Sequence, residues 1–241
     1  MKSEYINNWH RVWNNRKLTD TNKATILEKL ISIDGFDSPL GMMSESDWKK
    51  YIKLVLERYN INKEDSIFEV GCGAGAFLYT LHESGHEVSG IDYSEELIKV
   101  AKSSMPLRES YFEHKEASKY KIDPPVSVAI ANHVFHYFHS HAYASDVLKI
   151  MINGAAKKVL VKGIPDLSLK KESEIMRRGL LSPKEYELKY KGLDILYFEK
   201  SWFEKIGLEN QFHTQFYDHQ MPGFAQNPFR FDCLMTRKNS V

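Results

Sequence analysis

The side chains of this sequence that are suited to binding a ligand lie around a glycine-rich turn. The turn contains Gly71, Gly73 and Gly75. So many glycines in so short a stretch suit neither a strand nor a helix, but they allow a sharp bend and let a ligand approach main-chain N–H groups. The apolar segment before the turn, residues 66–70, carries one acid, Glu69, and the next apolar segment ends in a second acid, Asp92. The pattern predicts a ligand site that combines close backbone approach with carboxylates.

The order of these segments predicts a βαβ unit that binds a nucleoside. Ile67, Phe68 and Val70 supply the apolar, partly β-branched run expected of a strand buried on both faces. Asp92 follows the first glycine by about twenty residues and ends the second predicted strand, where an acid in a doubly wound sheet accepts hydrogen bonds from ribose hydroxyls. Strand, glycine turn, helix, strand and acid therefore form one nucleoside-binding unit.

Glu69 bears on which nucleoside is bound. A dinucleotide site cradles a pyrophosphate with helix N-terminal amides, and a carboxylate at its mouth would repel that anion. A sulfonium cofactor carries cationic groups and no phosphate, so the same acid would favour it. At this point the chain resembles the class I S-adenosylmethionine-dependent methyltransferases, whose first motif is similar to Glu-Val-Gly-Cys-Gly-Ala-Gly at residues 69–75. The resemblance covers roughly residues 60–165.

The resemblance implies a set of cofactor contacts along the ends of the predicted strands. Asp92 is expected at the ribose hydroxyls and Tyr93 against the adenine, although Tyr93 also reads as a surface tyrosine. Family members often present a polar residue and then the backbone of a small residue to the adenine after the third strand, where this chain offers Glu116, Ala117 or Ser118. The expected cofactor-binding residues are Glu69, Gly71, Cys72, Gly73, Gly75, Asp92, Tyr93, Ala117, Ser118, Asn132 and His133.

Histidines beyond the fourth predicted strand are the candidate catalytic residues. Functional residues of open α/β sheets lie beyond strand carboxyl ends, where His133 and then His136 are expected. Histidine titrates in the range needed to take a proton from a hydroxyl or ammonium acceptor. The alternative, a metal site shared with His139 and His141, lacks an accompanying Cys/His motif, so no metal is expected.

The expected substrate-binding residues come from several segments. They are Tyr5, Trp9, Trp13, His136 and Asp166. The three N-terminal aromatic residues either line the acceptor pocket as part of a lid or simply pack on the main domain. Asp166 either orients a hydroxyl or amine of the acceptor or caps a local turn.

The remaining pattern predicts an α/β fold: a Rossmann-like doubly wound sheet, mostly parallel, with an antiparallel C-terminal hairpin and an N-terminal helical cap. We expect a cap or lid at residues 1–43 and a methyltransferase domain at 44–241. Predicted strands lie at 66–71, 87–92, 110–114, 126–132 and 157–163, with two further β-rich runs near 209–217 and 229–237. Predicted helices lie at 44–59, 75–84, 94–104, 142–152 and 201–206.

Composition narrows the partners. The chain of 241 residues has 33 basic and 32 acidic residues, a formal net charge of +1, and two cysteines. This balance gives no electrostatic footprint for nucleic acid, and no apolar run reaches the roughly 18 residues that span a membrane. We expect a cytoplasmic enzyme, a monomer or homodimer, that acts on a small molecule.

The sequence favours transfer of a methyl group from S-adenosylmethionine to a small-molecule or saccharide-linked acceptor, on oxygen or nitrogen. Two other readings stay open. One is an NAD(P)-dependent oxidoreductase on a similar sheet, which Glu69 and the glycine spacing disfavour. The other is a pseudoenzyme that binds the nucleoside without catalysis.

Overall fold

A seven-stranded sheet forms the centre of the computed structural model, which describes residues 8–16, 25–38, 41–105 and 111–238. A separate short hairpin joins β1 (Asp37–Ser38) and β2 (Gly41–Met42). The strands of the main sheet are β3 (Ile67–Val70), β4 (Val88–Asp92), β5 (Phe112–His114), β6 (Val126–Asn132), β7 (Ala155–Pro165), β8 (Phe212–Asp218) and β9 (Arg230–Arg237). Their spatial order is β5-β4-β3-β6-β7-β9-β8, and β9 runs antiparallel to both of its neighbours. The predicted sheet, mostly parallel with an antiparallel hairpin at its C-terminal edge, is confirmed.

Helices cover both faces of this sheet. They are α1 (Asn8–Asn14), α2 (Ile26–Ile33), α3 (Glu45–Arg58), α4 (Ala76–Glu83), α5 (Glu95–Ser104), α6 (His141–Gly154), α7 (Lys170–Gly179), α8 (Pro183–Tyr190) and α9 (Lys200–Glu209). One buried apolar cluster joins α2, α3, α4 and α5 to one face, and a second joins α6 and α9 to the other. The two-faced burial explains why β3 is buried at every position.

The element boundaries follow local signals in the sequence. Ser44 caps α3 by accepting a hydrogen bond from the Asp47 N–H. The predicted strand at 126–132 has those bounds, and the other parallel strands begin or end within a few residues of the predicted limits. The helices α7 and α8, in contrast, were not among the predicted elements.

The two N-terminal helices differ in burial. α2 begins with a capping box between Thr25 and Glu28 and buries four apolar side chains in the cluster that includes α3 and α4. α1 buries none of its residues and contributes Trp9, His10, Val12 and Trp13 to the lining of the cavity described below. The division into a cap at 1–43 and a main domain at 44–241 stays a prediction.

Among the described residues, no helix has both the length and the apolar character needed to cross a membrane.

Candidate active site

A cavity of about 330 Å³ lies beyond the carboxyl ends of β3, β4 and β6. One part, which we call the glycine-turn end, is lined by Asp34, Glu69, Gly71, Cys72, Gly73 and Asp92. The other part, the histidine end, is lined by His133, His136, Tyr137, Arg177, Tyr190 and Arg230. Because both ends belong to one cavity, a ligand held at the glycine turn would face the histidines.

The glycine turn has the geometry that its sequence predicts. Gly71 and Gly73 have φ angles of +74° and +56°, a backbone conformation that residues other than glycine rarely adopt. A Cβ atom at Gly71 would lie 2.6 Å from the Val134 side chain, and one at Gly73 would lie 2.4 Å from the Asp34 carboxylate. Both positions therefore require glycine for close approach as well as for conformation.

Two carboxylates hold the main-chain N–H groups of this turn. Asp34, at the end of α2, accepts hydrogen bonds from the N–H groups of Ala74 (2.6 Å) and Ala76 (2.9 Å). Asp92 accepts from Gly73 (3.0 Å) with one carboxylate oxygen and from Ser94 (2.8 Å) with the other. Asp92 is thus buried at the end of β4 beside the turn, where the sequence predicts a ribose-binding acid.

Three acids meet at the glycine-turn end. Burial, reinforced by the charges of Asp34 and Asp92, raises the pKa of Glu69 well above its ordinary value. Burial likewise raises the pKa of Asp34 to about 7 and that of Asp92 to about 6. Glu69 Oε2 is buried and has no hydrogen-bond partner among the described residues. This chemistry fits a cationic ligand that carries N–H donors, and it disfavours a phosphate.

The residues predicted to border an adenine come from several elements. Tyr93 lines the cavity, and its hydroxyl donates a hydrogen bond to the Trp9 carbonyl at 3.2 Å. Ala117 and Glu116 also line the cavity, whereas Ser118 and Gly75 do not.

His133 occupies an unusual position at the end of β6. Its φ angle is +58°, and its main-chain N–H donates to the Lys162 carbonyl at 3.0 Å. The imidazole lies against the rings of His219 (4.7 Å between centroids) and Phe224 (5.2 Å), and a Cβ atom at Gly163 would come within 2.6 Å of it. Glycine at 163 therefore leaves the space that the His133 ring fills.

Both candidate histidines are buried and uncharged near neutral pH. Burial, followed by the charge of His219, lowers the pKa of His133 well below its ordinary value, and its Nε2 has no partner among the described residues. Burial and the charges of Arg230 and Arg177 do the same for His136. Arg230 Nη1 lies 3.4 Å from His136 Nδ1. Because a guanidinium only donates, Nδ1 accepts and Nε2 carries the proton.

A buried ionic network adjoins the histidine end of the cavity. Asp232 accepts hydrogen bonds from Lys162 Nζ (2.7 Å), Tyr59 Oη (2.6 Å), the Gly163 N–H (2.8 Å) and His219 Nδ1 (2.7 Å). Burial alone would raise the pKa of Asp232, but Lys162 and His219 outweigh burial and hold that pKa well below its usual range. The Asp232 carboxylate is therefore ionised and fully engaged.

The remaining predicted residues are placed as follows. Asn132 lines the cavity and accepts a hydrogen bond from the Tyr51 hydroxyl at 3.2 Å. Trp9 and Trp13 line the cavity and pack on Tyr137, whereas Tyr5 lies outside the described residues. Asp166 does not line the cavity; it caps a short turn by accepting from the Ser168 N–H at 2.9 Å.

Many cavity residues were not predicted from the sequence. Among them are the charged residues Arg16, Asp34, Arg177 and Arg230. Each reaches the site from a segment distant from the glycine motif, so no local spacing links them to it. Within the described ranges, no group of three or more His, Cys, Asp or Glu side chains is arranged to hold a metal ion.

Comparison with known proteins is consistent with this geometry. Residues 67–159 match the family model described as "Methyltransferase domain". No match to a curated protein was found.

Solved structures share the fold at low sequence identity. Magnesium protoporphyrin IX methyltransferase from Synechocystis PCC 6803, with bound SAH, is 16% identical with a TM-score of 0.54 over 95% of this chain and 92% of that one. The PH0226 protein from Pyrococcus horikoshii OT3 is 18% identical with a TM-score of 0.61, over 86% and 98% of the two chains. The plantazolicin methyltransferase BpumL, in complex with a monoazolic desmethylPZN analog and SAH, is 14% identical with a TM-score of 0.59, over 88% and 91%.

Proposed function

We propose that the chain transfers the methyl group of S-adenosylmethionine to a small-molecule acceptor, on oxygen or nitrogen. The match of residues 67–159 to the family model described as "Methyltransferase domain" supports this proposal. The single observation that carries this proposal is the buried, unpartnered Glu69 Oε2 beside Asp34 and Asp92. Three clustered acids favour a ligand that bears an ammonium and a sulfonium, and they oppose the pyrophosphate of a nicotinamide coenzyme. Two of the solved structures with this fold contain SAH, the demethylated product of that cofactor.

The residues at the glycine-turn end would hold the cofactor. Glu69 would accept hydrogen bonds from the ammonium of the methionine moiety, and Asp92 would accept from the ribose hydroxyls. Tyr93 and Ala117 border the adenine side. Bound there, S-adenosylmethionine supplies a methyl group that its sulfonium has already activated.

The residues at the histidine end would act on the acceptor. His133, neutral and with an unpartnered Nε2, takes the proton from a hydroxyl acceptor as its oxygen attacks the methyl group, or from an ammonium acceptor before its nitrogen attacks. His136 donates from Nε2–H and orients the acceptor atom. The aromatic side chains of Trp9, Trp13 and Tyr137 close the cavity and exclude water, which keeps acceptor and methyl group aligned.

The first experiment is a calorimetric titration with S-adenosylmethionine, SAH and NAD. We expect S-adenosylmethionine and SAH to bind, and we expect no binding of NAD. The variant Glu69→Gln should weaken both S-adenosylmethionine and SAH by about tenfold or more, because both compounds carry the ammonium that Glu69 would bind. The matched control, Glu57→Gln, removes an exposed carboxylate from α3 and should change neither affinity.

The alternatives give different outcomes in the same titration. Saturation by NAD, with no response to S-adenosylmethionine at millimolar concentration, would favour an oxidoreductase and contradict the proposal. Binding of S-adenosylmethionine without turnover on a fractionated extract of small metabolites would favour a non-catalytic nucleoside-binding protein.

A further inference from the structure

Two guanidinium groups line the histidine end and carry charge that no described residue balances. Arg177, on α7, is only 6% exposed, and Arg230 begins β9. Neither forms an ion pair with a carboxylate among the described residues, although the exposed neighbour Arg178 approaches Glu187 at 3.9 Å. Both Nε atoms are buried and lack a hydrogen-bond partner within the described part of the chain.

The contacts that these arginines do make are with neutral groups. Arg177 Nη2 donates to the Tyr197 hydroxyl at 2.8 Å, and its guanidinium carbon lies 5.8 Å from the centre of the Tyr190 ring. Arg230 Nη1 donates to the Gly163 carbonyl at 2.5 Å, and its guanidinium carbon lies 5.3 Å from the Phe224 ring. These contacts fix both side chains in place without neutralising them.

Neutral contacts leave an unfavourable electrostatic situation. Burial lowers the pKa of Arg230 to about 10; Tyr137 opposes this shift and the charge of Arg177 adds to it. A guanidinium stays charged at neutral pH. A buried charge without a counter-charge is costly, and two adjacent like charges cost more.

The acidic residues of the cavity and of the adjoining ionic network do not pair with these arginines. The Asp232 carboxylate is bound by Lys162 and His219. Glu69, Asp34 and Asp92 line the glycine-turn end of the cavity, where they interact with one another. The charge at the histidine end is therefore available to a ligand.

We propose that Arg177 and Arg230 form an anion subsite that binds a carboxylate or phosphate group of the methyl acceptor. This inference rests on the proposed function and narrows its substrate class to small acids. Planar guanidiniums bind both anions through paired hydrogen bonds, and the two free Nε donors supply them. The adjoining rings of Tyr190 and Phe224 suit an apolar body next to the acid group. His136, whose Nδ1 accepts from Arg230, then faces the atom to be methylated from beside the subsite.

The experiment titrates three probes of matched shape into protein saturated with SAH, in phosphate-free buffer. Phenylacetate tests a carboxylate, phenyl phosphate tests a phosphate, and phenylacetamide is the neutral counterpart. We expect at least one of the anions to bind about tenfold or more tightly than phenylacetamide; the tighter anion identifies the group. Arg177→Met and Arg230→Met should each remove that preference while leaving SAH affinity within about twofold of wild type.

Arg178→Met is the matched control, because it removes an exposed arginine of the same helix. It should preserve the preference for the anion. The comparison of anions with phenylacetamide uses wild-type protein alone, so the proposal can be tested even if a variant does not fold.

Two results would overturn the proposal. One is equal binding of anions and phenylacetamide by the wild type. The other is a loss of SAH affinity in the Arg177 and Arg230 variants with the anion preference intact, which would place these arginines at the carboxylate of the cofactor. Repeating the titration without SAH separates the two proposals: a protein that ignores SAH but prefers the anion contradicts the cofactor assignment and retains the anion subsite.

Discussion

His133 combines three features that ordinary packing does not require. It adopts a left-handed backbone conformation, it buries an imidazole nitrogen without a partner, and its pKa is lowered by burial. A left-handed non-glycine residue costs of order 1–3 kcal/mol, and a buried unpaired polar group costs a further 1–3 kcal/mol. Such costs are typical of functional positions, where the surrounding structure stabilises a strained residue.

Replacing the two histidines should separate their roles. His133→Asn tolerates the left-handed conformation but cannot accept the proton, so we expect turnover to fall by ~10²–10⁴-fold. His136→Gln keeps an N–H donor and should lose less. The affinity for SAH should stay within about twofold in both variants, measured by calorimetry beside steady-state rates.

His213→Asn, on the outer strand β8, is the control and should leave the rate unchanged. If both the His133 and the His136 variants turned over at the wild-type rate, the histidines would have no role in proton transfer. The acceptor would then need only to be positioned.

At the scale of elements, Asp34 connects two helices. It ends α2, and its carboxylate accepts hydrogen bonds from the first N–H groups of α4 and from the glycine turn. Helix N-termini favour negative charge, but burial opposes ionisation and raises the pKa of Asp34 to about 7. The contact between α2 and the glycine turn therefore depends on pH.

The sign of this dependence follows from proton binding. Between about pH 4 and 7 the unfolded chain has released the Asp34 proton while the folded protein still holds it, so raising the pH lowers the free energy of unfolding. We expect wild type to lose stability relative to Asp34→Asn by up to ~1 kcal/mol per pH unit across that range. Denaturant unfolding of both proteins at a series of pH values measures the difference.

Asp146→Asn, at an exposed site on α6 outside this contact, is the matched comparison. A pH-independent difference between wild type and Asp34→Asn would show that the Asp34 carboxylate is ionised across this range.

The sequence predicts elements well where one local pattern determines them. The run around Ile67–Val70 is apolar at three of its four positions, and the three glycines can only form a turn, so the strand and turn follow directly. Helix α7 has the sequence KKESEIMRRG, mostly charged, and gives no apolar periodicity from which to place it. Its one buried arginine is indistinguishable in the sequence from its exposed neighbour.

The contacts that complete the site are long-range and therefore escaped prediction. Asp34 bonds to a turn about forty residues away, and Arg230 reaches His136 across 94 residues. Only the fold brings these residues together. The glycine motif predicts where the glycine-turn end of the cavity lies, but not which charged side chains line the histidine end.

At the scale of the whole molecule, Asp232 joins the antiparallel hairpin to the rest of the fold. It lies on β9, and its partners come from β7, the end of α3 and the segment before β9. The same network includes Gly163, which leaves the space that the His133 ring fills, and His219, whose ring lies 4.7 Å from that of His133. Hairpin attachment and the shape of the histidine end therefore share one ionic centre.

The stabilising effects of Asp232 and Lys162 on the fold should depend on each other, because removing either side chain alone leaves the other without its ion-pair partner. Asp232→Asn leaves the Lys162 ammonium, 2% exposed, without a counter-charge, and we expect a loss of about 3–5 kcal/mol in the free energy of unfolding. Lys162→Met removes the buried ammonium, and the double variant leaves no unpaired charge between these two positions. The double variant should therefore be less destabilised than the sum of the single variants, by about 1–3 kcal/mol. Urea unfolding of the four proteins gives this coupling energy. Strictly additive losses would mean that the two side chains stabilise the fold independently, and that the hairpin is held by its strand hydrogen bonds and apolar packing instead.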